Sequence, residues 1–214
     1  LVAIIPSLSS CIDEDEYTDS PSGNFEALWK IIDEHYCFFD YKNVDWNAIH
    51  AKYKPQVAGD ITTSQLFEVL GNMLGELQDG HVNLYSPFDV ARYWKWHEDY
   101  PSNYSDTLIS KYLGTDYRIT SGMKYRILDD NTGYIRMPSF AYGIGAGNLD
   151  NILYYLAPCQ KLIIDIRDNG GGLLTSAQEL AARFTNEKIL VGYMQHKTGK
   201  AHNAFSSLEP QYLK

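Results

Sequence analysis

The sequence predicts an α/β protein: a small N-terminal helical bundle followed by a partial α/β core. Three observations predict it. Between Asn24 and Leu77 apolar residues recur at helical spacing. From Tyr117 onward the chain reads β-α-β-α-β, the order of a layered core. The 214 residues are 44% hydrophobic, enough for one sizeable core or two small modules sharing one.

In the first half, Phe25, Leu28, Trp29, Ile32 and Tyr36 share one face of a helix over Asn24–Phe39, with Ser22 or Asn24 as its cap. Asp45–Tyr53 is a shorter helix with Trp46, Ile49 and Tyr53 inward. Thr62-x-x-Gln65 is a capping-box pattern that opens a third helix, whose stripe is Leu66, Leu70, Met73 and Leu77. Asp79-Gly80 is expected to stop it, glycine supplying left-handed geometry. His81–Tyr85 then alternates like a strand up to Pro87. Residues 88–118 have scattered aromatics, among them Trp94, Trp96, Tyr104 and Tyr112, without a period. They read as an irregular connector or as the lining of a cleft.

In the second half, Tyr125–Leu128 and Tyr134–Met137 flank the turn Asp129–Gly133, a hairpin pattern. The stretch Gly143–Gly147 leads into a helix over Asn148–Leu156. Leu162–Ile166 is a continuous apolar run, as a fully buried parallel strand would be. Asn169-Gly170-Gly171-Gly172 follows it. Thr175-x-x-Gln178 is expected to cap the next helix, with Ala177, Leu180, Ala181 and Phe184 inward, before a strand at Ile189–Tyr193.

Composition excludes several function classes. The net charge is −9 with no Lys/Arg cluster, so nucleic-acid binding is not expected. The six histidines show no close ligand spacing, so no metal is expected. Gly143–Gly147 lacks a preceding buried strand and the spacing of a dinucleotide fingerprint. No cofactor is expected. Of the three cysteines, Cys37 and Cys159 are expected as buried free thiols, with a disulfide as the alternative.

The N-terminus has its own pattern. An apolar run closes in Leu8-Ser9-Ser10-Cys11, which resembles a bacterial lipobox whose cysteine is lipidated. No initiator Met or basic region precedes it, so the front of such a signal is missing from the sequence. The acidic run Ile12–Glu16 reads as a solvated tether, similar to surface-export signals of Bacteroidetes lipoproteins. Residues 1–23 are thus expected to be a signal remnant and tether, 24–80 the bundle, and 81–214 the core. The expected location is exported and lipid-anchored to the bacterial outer membrane, with the cell surface as one form of that location.

A buried strand, three glycines and a helix N-terminus form an anion cradle, because the first helical amides lack intrahelical partners. A structural turn would also use these glycines. The flanking residues narrow the choice. Leu162-Ile163-Ile164-Asp165-Ile166-Arg167-Asp168-Asn169-Gly170-Gly171-Gly172 resembles the core motif of the C-terminal-processing and tricorn-type serine peptidases. Gln78-Asp79-Gly80-His81-Val82 resembles the Asp-Gly-His segment of the tricorn-like branch, and Gly133–Phe140 its first core strand.

The resemblance implies a ClpP/crotonase-like core and a serine endopeptidase acting on exported proteins or peptides. It implies His81 as general base and an oxyanion-hole amide at Gly170 or Gly171. Asp165, Arg167 and Asn169 would support the loop. The segment between His81 and Gly133 is short for the PDZ domain of many relatives. The nucleophilic serine is not in matching context at Ser139, Ser176, Ser206 or Ser207, so it is expected beyond Lys214. On that reading the core is incomplete and this fragment alone is inactive. The alternative is a binding module of the same fold, with Trp94, Trp96 and nearby tyrosines around an apolar ligand.

Overall fold

The structure is a computed structural model that describes residues 16–98 and 100–213, apart from the side chain of Trp96. Cys11 and the lipobox therefore lie outside the described residues. The chain divides into two compact units. One comprises the N-terminal part to residue 98 with Lys197–Phe205; the other comprises Tyr100–His196 with the C-terminal strand.

The first unit holds α1 (Pro21–His35), α2 (Phe39–Lys42), α3 (Trp46–Tyr53) and α4 (Thr63–Gly75), followed by the hairpin β1 (Asn83–Tyr85) and β2 (Val90–Arg92). The cap of α1 is Ser20, not Ser22 or Asn24: its hydroxyl accepts from the Gly23 amide at 3.0 Å. Pro21 starts the helix, since its fixed φ suits the first turn and no donor is lost there. Asp45 caps α3 through the Ala48 amide. At α4 both halves of the expected capping box form, Gln65 N to Thr62 Oγ1 and Thr62 N to Gln65 Oε1.

The apolar stripes meet in a core of Phe25, Tyr36, Phe39, Trp46, Tyr53, Val57, Leu70, Met73, Leu74 and Leu77. Trp29 and Trp46 exchange indole-to-carbonyl hydrogen bonds at 3.1 and 3.0 Å, so both donors are satisfied on burial. The helix end differs from expectation. α4 stops at Gly75, and the left-handed residue is Gln78 (φ 49°) rather than Gly80. Lys42 makes this turn possible by donating to the Leu77 and Gln78 carbonyls at 2.9 and 3.0 Å.

The second unit holds α5 (Asp106–Leu113), β3 (Arg118–Thr120), β4 (Met123–Ile127), β5 (Thr132–Arg136), α6 (Ala146–Leu156), β6 (Lys161–Asp165), α7 (Leu174–Ala182), β7 (Ile189–Met194) and β8 (Glu209–Leu213). The main sheet has the order β3-β4-β5-β6. β3, β4 and β5 are antiparallel, and β5-α6-β6 is a parallel crossover, so the fold is α/β. In the β4–β5 turn Asn131 takes the positive φ, leaving Gly133 inside β5 with Leu156 and Leu162 close by. Asn tolerates that geometry through local hydrogen bonding.

α6 lays Leu149, Ile152 and Leu156 on Met123, Tyr125, Ile135 and Met137. Every residue of β5 is buried. β6 is not the fully buried strand expected from its composition: Leu162 and Ile163 are exposed, because β6 is a sheet edge among the described residues. β7 pairs with β8 instead of the main sheet, and Ile189, Leu190 and Val191 are exposed. In α7, Ser176 and Leu180 face inward whereas Ala181 is exposed, and Phe184 lies beyond the helix end, also exposed. The two described cysteines are free but not buried: Cys37 is exposed and Cys159 half-buried, each just beyond a helix end.

Candidate active site

Two constructions matter, one in each unit. The first is the junction between α4 and β1. Asp79 Oδ1 accepts the His81 amide at 3.0 Å, and Asp79 Oδ2 accepts the Tyr36 hydroxyl at 2.8 Å. Lys42 Nζ stands 3.7 Å from the same carboxylate. Burial alone would raise the Asp79 pKa, but these donors outweigh it and hold the group below its usual value. The His81 ring is fully exposed, with Nδ1 3.4 Å from Asp79 Oδ1. The side chain is thus free to meet a ligand while a fixed anion stands behind one ring nitrogen. In the sequence Asp79 reads as a helix stop; Tyr36 and Lys42 carry no local sign of their role.

The second construction is the loop after β6. Asp165 is buried at the strand end, opposite Arg136 in the parallel register. Its carboxylate accepts Arg167 Nε and Nη2 at 2.9 and 2.7 Å, the Arg167 amide at 3.1 Å and the Tyr134 hydroxyl at 2.6 Å. The Arg167 fork, aided by Tyr134 and opposed by burial, keeps Asp165 far below the usual carboxylate range. Burial and the bond to Asp165 push the Tyr134 hydroxyl well above its usual value. Buried Arg136 donates to the Met137 and Asp165 carbonyls and lies 3.9 Å over the Tyr104 ring. Its Nε has no partner among the described residues. Tyr134 and Arg136 sit two apart on β5, so they share a face; a buried Arg within an apolar strand was the available signal.

The glycine loop is tied to the end of β5. Asn169 Nδ2 donates to the Met137 carbonyl at 2.8 Å, and Asn169 Oδ1 accepts the Gly171 amide at 2.8 Å. Phe140 and the loop exchange two backbone bonds, Phe140 N to Gly171 O and Leu173 N to Phe140 O. These bonds start α7 at Leu174, so Thr175 is not its cap and Leu173 occupies that position without a side-chain bond. The two loop glycines differ. The Gly171 N–H is taken by Asn169, while the Gly170 N–H has no partner among the described residues.

Gly172, to which the sequence assigns no separate role, is the sterically required one. Its φ is 139°, and an added Cβ would fall 2.2 Å from the Phe140 carbonyl carbon. Gly172→Ala is expected to cost about 1–3 kcal/mol or displace the loop. Gly170→Ala, which meets open space, should stay within about 0.5 kcal/mol of the parent. Urea unfolding of the two variants checks the contrast; equal stability would show that the loop is not held against Phe140.

Comparison with known proteins adds to this geometry. Residues 17–75 match the model of the tricorn protease C1 domain, and residues 131–212 match that of peptidase family S41. The chain belongs to the tricorn-type S41 peptidase family. The S41 match covers β5, β6 and the glycine loop, and the C1 match covers the four helices.

A solved structure of a provisionally assigned peptidase from Parabacteroides merdae is 48% identical to this S41 chain, with a TM-score of 0.83. The alignment covers 92% of this chain and 63% of that protein. A photosystem II D1 C-terminal processing protease also aligns, at 12% identity and a TM-score of 0.42, over 90% of this chain and 70% of its own. That likeness is too low to define a shared fold. No curated protein matches.

Proposed function

We propose that this chain carries the general-base portion of a serine endopeptidase of the S41 family, acting on exported proteins or peptides. The observation that carries the reading is the Asp79–His81 junction: an exposed imidazole on a pinned turn, with a carboxylate 3.4 Å behind Nδ1. In this reading the other ring nitrogen, Nε2, takes the proton of an attacking hydroxyl and returns it to the leaving amine. The open Gly170 amide serves as an oxyanion donor, in preference to the engaged Gly171 amide. Asp165, Arg167 and Asn169 hold the loop that carries it.

The nucleophile is proposed to lie in the portion of the family that this chain does not span. Three of the four serines weighed from the sequence have engaged hydroxyls. Ser139 donates to the Gly171 carbonyl, Ser176 to the Tyr142 carbonyl and Ser206 to the Ser207 carbonyl. With the nucleophile placed there, the chain as given is expected to lack peptidase activity. Lipidation at Cys11 and anchoring at the bacterial outer membrane complete the proposal. Among the described residues no helix is long and apolar enough to cross a membrane.

The test is active-site labelling. A protein extended through the segment that carries the nucleophile should react with a fluorophosphonate probe, and His81→Ala should abolish the reaction. A well-folded extended protein that never labels would sink the proposal.

A further inference from the structure

A groove of about 770 Å³ lies wholly within the N-terminal unit, away from His81. One wall is a stripe of α4 formed by Ser64, Phe67, Glu68, Gly71, Gly75 and their neighbours at helical spacing. The other wall is a continuous run from Phe88 to Tyr93, with no residue of β1. The groove therefore follows the outer edge of β2. The floor is close-packed: a Cβ on Gly71 would meet the Ala91 Cβ at 2.6 Å.

The exposed edge has free backbone groups. Ser86 N donates to Asp89 O at 2.9 Å across the turn. In the register Tyr85–Val90, Leu84–Ala91, Asn83–Arg92, alternation turns Ala91 toward β1 and Val90 and Arg92 away from it. The Val90 amide is taken by the Asp89 carboxylate. The Val90 carbonyl and both backbone groups of Arg92 are left without partners among the described residues. The α4 stripe from Ser64 to Glu76 spans about 18 Å, the length of about five or six extended residues.

We propose that this groove binds an extended, lysine- or arginine-bearing peptide segment, which adds to β2 as a further strand. Backbone bonds to the edge would supply affinity, and side chains alternating into the groove would supply selectivity. The apolar seat is Phe67 edge-on to Phe88 at 5.4 Å, beside exposed Val90. The charge preference follows from Glu68 and Asp89 in the lining against Arg92, since the Glu76 carboxylate is already held by Lys52 and the Tyr53 hydroxyl. The Arg92 guanidinium is itself drawn over the Trp94 ring, 4.5 Å away. The proposal does not depend on the peptidase reading, because binding is read without cleavage.

The test uses the 214-residue chain and a fluorescein-labelled octapeptide alternating lysine and valine. Fluorescence anisotropy should show saturable binding. A version N-methylated at alternate amides, or one with glutamate for lysine, should bind at least about tenfold more weakly. Gly75→Leu should have the same effect, because a Cβ there meets nothing within 4 Å and the side chain fills the groove without a clash. Arg92→Pro removes the outward amide on an edge strand that tolerates proline, and should also weaken binding. Thermal unfolding shows that both variants fold. No saturable binding to the parent, equal binding of the N-methylated or glutamate peptide, or undiminished binding to both folded variants would overturn the proposal.

Discussion

Asp165→Asn is expected to destabilise the protein by about 3–5 kcal/mol at neutral pH. The substitution keeps the side chain's shape and removes its charge. The carboxylate is 3% exposed and Arg136, across the register, is 4% exposed. Without Asp165 the buried guanidinium retains only carbonyl oxygens and the Tyr104 face. Arg167 is about half exposed, so its share of the loss is expected to be small. Most of the effect arises from burying an uncompensated charge and weakening the partner of the Tyr134 hydroxyl.

The same residue sets a pH dependence. Its folded pKa lies far below the ordinary value of 3.8. A depressed carboxylate pKa contributes stability that is fully present above the unfolded value and is lost as pH falls toward the folded one. Unfolding free energy should therefore decline below about pH 4, and this part of the decline should be missing in Asp165→Asn. Urea titrations at pH 7 and pH 3 measure both effects. An unchanged acid slope in the variant would show that Asp165 is not the group responsible.

The second large effect concerns the proposed base. In a protein that includes the nucleophile, His81→Ala is expected to slow acylation by about 10²–10⁴-fold. Asp79→Asn should cost less, because the remaining oxygen still accepts the His81 amide and the Tyr36 hydroxyl can turn to accept from the new amide nitrogen. Time courses of fluorophosphonate labelling measure both. Stability should change little in His81→Ala, since the ring is fully exposed. Unchanged acylation in His81→Ala would remove His81 from the mechanism.

Much of the architecture was legible because it rests on short-range chemistry. Thr62 and Gln65 are three residues apart, and each satisfies the other's backbone amide. The β4–β5 hairpin, the α6 crossover and the glycine loop likewise follow from periodicity and turn residues close in sequence. Where local readings slipped, a neighbouring residue served the same need: Ser20 for Ser22 and Gln78 for Gly80.

The sequence by itself determined the α/β class, the order of the elements and the loop on which the site is proposed. Tertiary structure alone decided which groups are satisfied and which remain open. Asn169 engages Gly171 and leaves Gly170 free. Phe140 makes Gly172 the constrained glycine. Tyr134 and Arg136 come from β5 to surround Asp165 on β6. β7 finds β8 rather than the main sheet, and β6 keeps its apolar residues exposed at an edge. The physical reason is common to all of these: a helix cap or turn is closed by residues a few positions away, whereas burial and cross-strand hydrogen bonds depend on partners that only folding brings near.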